Sequence, residues 1–68
     1  MPETGVKNKN YNLITAVQGS LHYAWELEAF ISDAEEAGDT DLAEWFRKIQ
    51  ANYRKAGEQG LTMLQERL

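Results

Sequence analysis

Residues 34–46 read AEEAGDTDLAEWF and separate two long helical patterns in this chain of 68 residues. Gly38 can adopt the left-handed backbone conformation that closes the C-terminus of a helix. Asp39 can then cap the next helix, and Asp41 lies in its first turn, near the positive end of the helix dipole. Because the connection is so short, the two helices must lie antiparallel. The sequence therefore predicts an all-α fold, an antiparallel two-helix hairpin.

The residues before this turn have the periodicity of an amphipathic helix. Apolar and small residues recur at alternating spacings of four and three, which places them in one stripe. A helix is expected near residues 12–37, with Asn12 or Asn10 as its N-cap, because an asparagine oxygen accepts from a free N–H of the first turn. The stripe consists of Leu13, Val17, Ser20, Ala24, Leu27, Ile31 and Ala34.

The residues after the turn repeat the pattern and predict a second helix near residues 39–66. Its weakest part is the last few turns, because Gly57 and Gly60 each cost about 1 kcal/mol relative to alanine inside a helix. Its stripe consists of Leu42, Phe46, Ile49, Tyr53, Ala56, Gly60 and Met63. Counted outward from the turn, the expected contacts are Ile31 with Phe46, Leu27 with Ile49, Ala24 with Tyr53, Ser20 with Ala56, and Val17 with Gly60.

The chain has more apolar surface than one seam between two helices can bury. A sizeable exposed apolar patch usually marks an interface, and a core this small is marginal by itself. The expected partner is a second copy, most simply in a dimer that forms a four-helix bundle, and a different protein partner is the alternative. The flanking residues are Ile14, Leu21 and Trp25 on one side of the first stripe, Ala16, Tyr23 and Phe30 on the other, and Trp45 and Leu61 on the second helix.

Composition narrows the class of protein. Residues 1–10 are polar and are expected to form a flexible arm ahead of a hairpin domain at residues 11–68. The formal net charge of −4, without a basic block, disfavours nucleic acid and anionic lipid as partners. The apolar runs are far shorter than the roughly 20 residues that span a bilayer, and no signal peptide is recognisable, so we expect a cytoplasmic protein. Without cysteine, disulfides and cysteine-based zinc sites are excluded.

Few residues are candidates for chemistry. His22, the single histidine, points away from the stripe and is expected to be a surface residue rather than a ligand or general base. Glu28 and Glu35 lie at the edge of the stripe, where copies from two protomers can collect a cation site. The alternative is that these glutamates pair with Arg47 or Arg54 or reach solvent. Because two helices do not enclose a pocket for acid–base work, we expect no enzyme activity.

The pattern of the chain resembles the first helical hairpin of rubrerythrin-type diiron proteins in the ferritin-like superfamily. The resemblance rests on NLITA at residues 12–16, on Gly19, and on AEEAG and LAEWFR at residues 34–38 and 42–47. It covers about two thirds of the chain and implies a ferritin-like scaffold.

The resemblance also implies where iron ligands would lie, and this chain departs from the family there. The first ligand glutamate falls on Ser20, and the Glu-x-x-His of the second helix falls on Tyr53 and Ala56. The resemblance therefore implies the scaffold without its diiron centre, and no metal or cofactor is expected.

These observations together predict a non-enzymatic structural or interaction protein on a degenerate ferritin-like scaffold, self-associating through apolar helix faces. The alternatives are an iron-binding protein whose site forms between protomers and a small regulator that docks on a larger partner. The residues expected in the core or interface are Leu13, Val17, Ser20, Leu21, Ala24, Trp25, Leu27, Phe30, Ile31, Leu42, Trp45, Phe46, Ile49, Tyr53, Ala56 and Met63.

Overall fold

The computed structural model describes residues 8–67 as two long α-helices joined by a tight turn. Helix α1 spans Lys9–Glu36 and helix α2 spans Thr40–Arg67. The helices pack against each other, and no strand occurs between residues 8 and 67. The all-α helical hairpin is therefore confirmed. Residues 1–7 of the expected N-terminal arm lie outside the described residues.

Helix α1 begins earlier than the sequence predicts. Its N-cap is Asn8, whose side-chain oxygen accepts hydrogen bonds from the backbone N–H groups of Asn10 and Tyr11, both at 3.0 Å. The expectation of Asn12 or Asn10 as the cap is wrong. The helix extends to Asn8 because each of these asparagines can cap, and no proline or glycine between them ends the helix.

The turn forms as the sequence predicts. Gly38 has a φ of +75°, and its N–H donates to the carbonyl of Glu35 at 3.0 Å. The N–H of Asp39 donates to the carbonyl of Ala34 at 2.9 Å, which completes a Schellman-type end to α1. The carboxylate of Asp39 then accepts from the N–H of Leu42 at 3.2 Å and caps α2.

Helix α1 presents to α2 the stripe that its periodicity indicates. Leu27 lies at the centre of the seam and is fully buried. Leu13 and Ser20 are half-buried near the open end of the hairpin. The other buried residues of α1 are Val17, Ala24, Ile31 and Ala34.

Helix α2 faces α1 with residues that differ from those expected. Its buried residues are Ala43, Gln50, Gly57 and Gly60. The expected burial of Leu42, Tyr53, Ala56 and Met63 is wrong for this chain alone, since all four are exposed; Phe46 and Ile49 are half-buried. The physical reason is that small residues at positions 43, 57 and 60 let the two helices approach closely along this stripe, and the resulting rotation of α2 carries the expected stripe to the flank.

Two glycines allow this close approach. A Cβ atom on Gly60 would lie 2.6 Å from Cγ2 of Val17, and one on Gly57 would lie 2.7 Å from Cγ of Leu21. The expected contact of Val17 with Gly60 is therefore confirmed. The expected layer of Ser20 against Ala56 is wrong, because Gly57 takes the seam position. Helix α2 continues unbroken through both glycines to Arg67.

Candidate interaction surface

One side of the hairpin carries a continuous series of aromatic rings from both helices. The ring centroids of Trp45 and Phe46 are 5.6 Å apart, and those of Phe46 and Phe30 are 5.7 Å apart. Tyr23 lies 6.3 Å from Phe30 and stacks edge-on against Tyr53 at 4.8 Å. These distances are typical of favourable aromatic pairs. Five rings therefore form one connected cluster across the seam.

Smaller apolar residues extend this cluster along both helices. They follow a seven-residue spacing, which returns to the same side of a helix after two turns. We call the combined surface the aromatic face. It consists of Ala16, Tyr23 and Phe30 from α1 and of Leu42, Trp45, Phe46, Ile49, Tyr53, Ala56 and Met63 from α2.

The aromatic face remains accessible to solvent although its rings contact one another. Five of its large side chains, Phe30, Leu42, Trp45, Tyr53 and Met63, are each 38–55% exposed. At roughly 200 Å² for a large side chain, they leave about 450 Å² of apolar surface uncovered. Patches of this size on small proteins are often functional.

The opposite side of the seam carries two charged pairs between the helices. Glu35 forms an ion pair with Arg47, and a carboxylate oxygen of Glu28 lies 4.0 Å from a guanidinium nitrogen of Arg54. We call these four residues the charged edge. Of the two alternatives for Glu28 and Glu35, a cation site or pairing with arginines, the contacts of this chain correspond to the second. Because these pairs are about half exposed, they orient the two helices more than they stabilise them.

Gln50 links the charged edge to the seam. Its side-chain N–H donates to the carbonyl of Ala24 at 2.9 Å and to the carboxylate of Glu28 at 2.8 Å, and the residue is 7% exposed. The expected partner of Ala24 was Tyr53, which instead lies on the aromatic face. Sequence reasoning missed Gln50 because a polar residue breaks an apolar stripe. The sequence does contain a signal for a seam position at Gln50, because small residues at positions 43, 57 and 60 lie on the same side of α2 before and after it.

Trp25 lies outside both surfaces. It is 70% exposed on the outer side of α1, and its ring lies 5.7 Å from that of His22. His22 is exposed and approaches the carboxylate of Glu26 at 3.3 Å. Trp25 follows Leu21 by one helical turn on the same side of α1, as the sequence predicts, but α2 does not cover its indole. Its place in an interface stays a prediction. Leu21 itself packs over Gly57.

The ligand positions implied by the family resemblance lie on or next to the aromatic face. Tyr53 and Ala56 belong to that face, and Ser20 lies between Ala16 and Tyr23 on the helix surface. Within residues 8–67, no three His, Asp or Glu side chains come close enough together to hold a metal ion. In the same range, neither helix is sufficiently long and apolar to cross a membrane.

Comparisons of the chain with protein-family models, curated proteins and solved structures find no match. The class that the structure defines is therefore an all-α helical hairpin with one uncovered aromatic face.

Proposed function

We propose that the chain is a non-enzymatic structural or interaction protein, in which two hairpins associate through their aromatic faces to form a four-helix bundle. The observation that carries this proposal is the exposed ring cluster of Tyr23, Phe30, Trp45, Phe46 and Tyr53. Within one hairpin, each helix buries a single stripe against the other helix. The aromatic face beside that stripe can be buried only by a second layer of helices packed on it. A second hairpin provides that layer by the same geometry.

The area of the aromatic face supports the proposed dimer. Burying about 450 Å² of apolar surface on each of two copies is worth about 20 kcal/mol at 25 cal/mol per Å². Association costs about 4–15 kcal/mol in lost rotational and translational freedom. Polar residues at the rim add to the buried area and bring it toward the roughly 1,200–2,000 Å² of specific interfaces. The apolar term is therefore of the size needed to offset this cost, to which the ordering of side chains and the desolvation of polar groups add.

The ferritin-like resemblance also supports a bundle in which the aromatic face lies in the interior. In diiron bundles the ligands project inward from facing helices. Ser20, Tyr53 and Ala56 stand at those positions and lie on or next to the aromatic face. Carboxylates buried there without metal would be costly unpaired charges, whereas small or aromatic side chains are not. We propose a scaffold of ferritin-like descent that has exchanged its metal layer for apolar packing.

Self-association is favoured over an iron site between protomers. Glu28 and Glu35 belong to the charged edge, where Gln50, Arg47 and Arg54 already engage their oxygens. A second copy on the aromatic face therefore does not bring these glutamates together. Metal analysis after purification with added iron tests this point, and tight stoichiometric binding that Glu28→Gln abolishes would favour the iron-site alternative.

Sedimentation equilibrium with matched variants tests the proposed dimer. We expect the chain to sediment as a dimer at micromolar concentration. Phe30→Glu places a charge within the aromatic face and should yield monomers. Ala29→Glu places the same charge one residue away, on the exposed outer side of α1, and should leave the dimer intact. A folded, monomeric wild-type chain would refute the proposal and favour docking of this face on a larger partner.

A further inference from the structure

The charges of the hairpin are unevenly distributed along its length. Residues 26–44, which surround the turn, hold eight of the eleven acidic residues of the chain and no basic residue. These acidic residues are Glu26, Glu28, Asp33, Glu35, Glu36, Asp39, Asp41 and Glu44. One end of the molecule is therefore strongly acidic.

The hairpin divides into two parts of opposite net charge. We call residues 26–48 the turn end, and they carry a formal net charge of −6, since only Arg47 and Lys48 offset the eight acidic residues. We call residues 8–25 and 49–67 the open end, and they carry +2 with His22 neutral. The basic residues of the open end are Lys9, Arg54, Lys55 and Arg67, and its acidic residues are Glu58 and Glu66.

Two copies can pair their aromatic faces in two symmetric ways. A twofold axis parallel to the helices places both turns at the same end of the bundle. A twofold axis perpendicular to the helices places the turns at opposite ends. In both bundles each helix has antiparallel neighbours, so helix dipoles do not favour either one. The choice depends on side-chain charge and side-chain volume.

Charge favours turns at opposite ends. With both turns at one end, the two turn ends of −6 would lie across a bundle whose axes are about 10 Å apart, close to the Debye length of about 8 Å at physiological salt. With turns at opposite ends, each turn end lies beside an open end of +2. The first arrangement is repulsive and the second is attractive.

Side-chain volume favours the same arrangement independently. Most of the bulk of the aromatic face lies toward the turn, in Phe30, Trp45 and Phe46, whereas the open end carries the small Ala16 and Ala56 and one large residue, Met63. Turns at the same end would place large residues against large ones and leave a gap between the alanines. Turns at opposite ends place the large residues of one copy against the small ones of the other, which is what close packing requires.

From these two observations, and resting on the dimer proposed above, we infer that the second copy docks with its turn beside the open end of the first. The acidic turn end of each protomer, residues 26–48, then lies beside the net-positive open end of its partner. The bundle has one twofold axis, perpendicular to the helices and close to Tyr23.

Distances between spin labels distinguish the two arrangements. The chain has no cysteine, so Thr40→Cys and Thr62→Cys each provide one labelling site. Both threonines are exposed, Thr40 at the turn and Thr62 near the open end, about 33 Å apart along α2 at 1.5 Å per residue. Sedimentation equilibrium of the labelled variants checks that they still dimerise.

With turns at opposite ends, the two labels in a Thr40→Cys dimer should be roughly 35–40 Å apart. In a mixture of Thr40→Cys and Thr62→Cys chains with distinguishable labels, the distance between the two kinds of label should be roughly 20 Å. Turns at the same end reverse these two distances, and that result would overturn the inference while leaving the proposed dimer intact. A monomeric mass with no dipolar signal between chains would overturn the proposed function, and the inference with it.

Discussion

The close approach of the two helices at Gly60 leads to a specific prediction about alanine substitutions. In an exposed helix interior, glycine to alanine is stabilising by about 1 kcal/mol. Gly19 meets this condition, because a Cβ atom there would have no atom within 4 Å. A Cβ atom on Gly60 would instead lie 2.6 Å from Cγ2 of Val17. The same substitution should therefore have opposite effects at the two positions.

The magnitude follows from how easily the neighbour can move. Val17 is 7% exposed, and its branched side chain has one preferred rotamer in a helix, so the helices must separate to admit the new methyl group. Overpacking of this kind costs about 1–3 kcal/mol, against a propensity gain of about 1 kcal/mol. Gly60→Ala should then be less stable than Gly19→Ala by about 1–3 kcal/mol. Gly57→Ala should fall between them, because Leu21 is 37% exposed and can turn outward.

Thermal unfolding followed by circular dichroism measures this difference. For a domain of this size, 1 kcal/mol corresponds to a change of about 4–8 °C in Tm. All variants must be compared at one protein concentration, because dimerisation raises the Tm with concentration. If Gly60→Ala raised the Tm as much as Gly19→Ala, the seam would not be close-packed at this position and the reasoning would be refuted.

Substitutions at three further positions test the turn, the buried amide and the assignment of the interface. Asp39→Ala should lower the free energy of unfolding, measured in urea, by about 1 kcal/mol because α2 loses its cap. Asp39→Asn should lower it little because asparagine also caps, and equal losses in the two variants would contradict the capping role. Gln50→Met keeps the side-chain volume but removes the hydrogen bonds to Ala24 and Glu28, and should lower the free energy of unfolding by about 1–3 kcal/mol. An unchanged free energy of unfolding would contradict a stabilising role of these two hydrogen bonds. Trp25→Gln should leave the dimer dissociation constant unchanged in sedimentation equilibrium, and a large rise would place Trp25 in the interface instead.

Local features of the sequence were enough to predict the hairpin. The Gly38–Asp39 connection, the cap on α2 and the helical period depend on neighbouring residues, and the structure confirms the turn, the cap and the two helices. The start of α1 was predicted less well, since Asn8, Asn10 and Asn12 are equally able to cap and only the extent of the helix decides among them.

The candidate interface could be predicted only in part. The sequence predicts Tyr23, Phe30 and Trp45 as flanking residues with no cover, and they belong to the aromatic face. The sequence predicts Tyr53 and Ala56 in the seam, but they lie on the aromatic face too. The pattern of hydrophobic residues along one helix shows that a side chain is to be buried. It does not show whether the other helix of the hairpin or a second chain buries it.

What the sequence determined by itself was two amphipathic helices and an antiparallel turn, because caps, glycine conformation and helical period act within a few residues. What only the tertiary structure decided was the rotation of α2 about its axis. That rotation depends on volumes brought together from distant positions, Gly57 beneath Leu21 and Gly60 beneath Val17. Close approach at these glycines turns the larger side chains of α2 outward, and the aromatic face is the consequence.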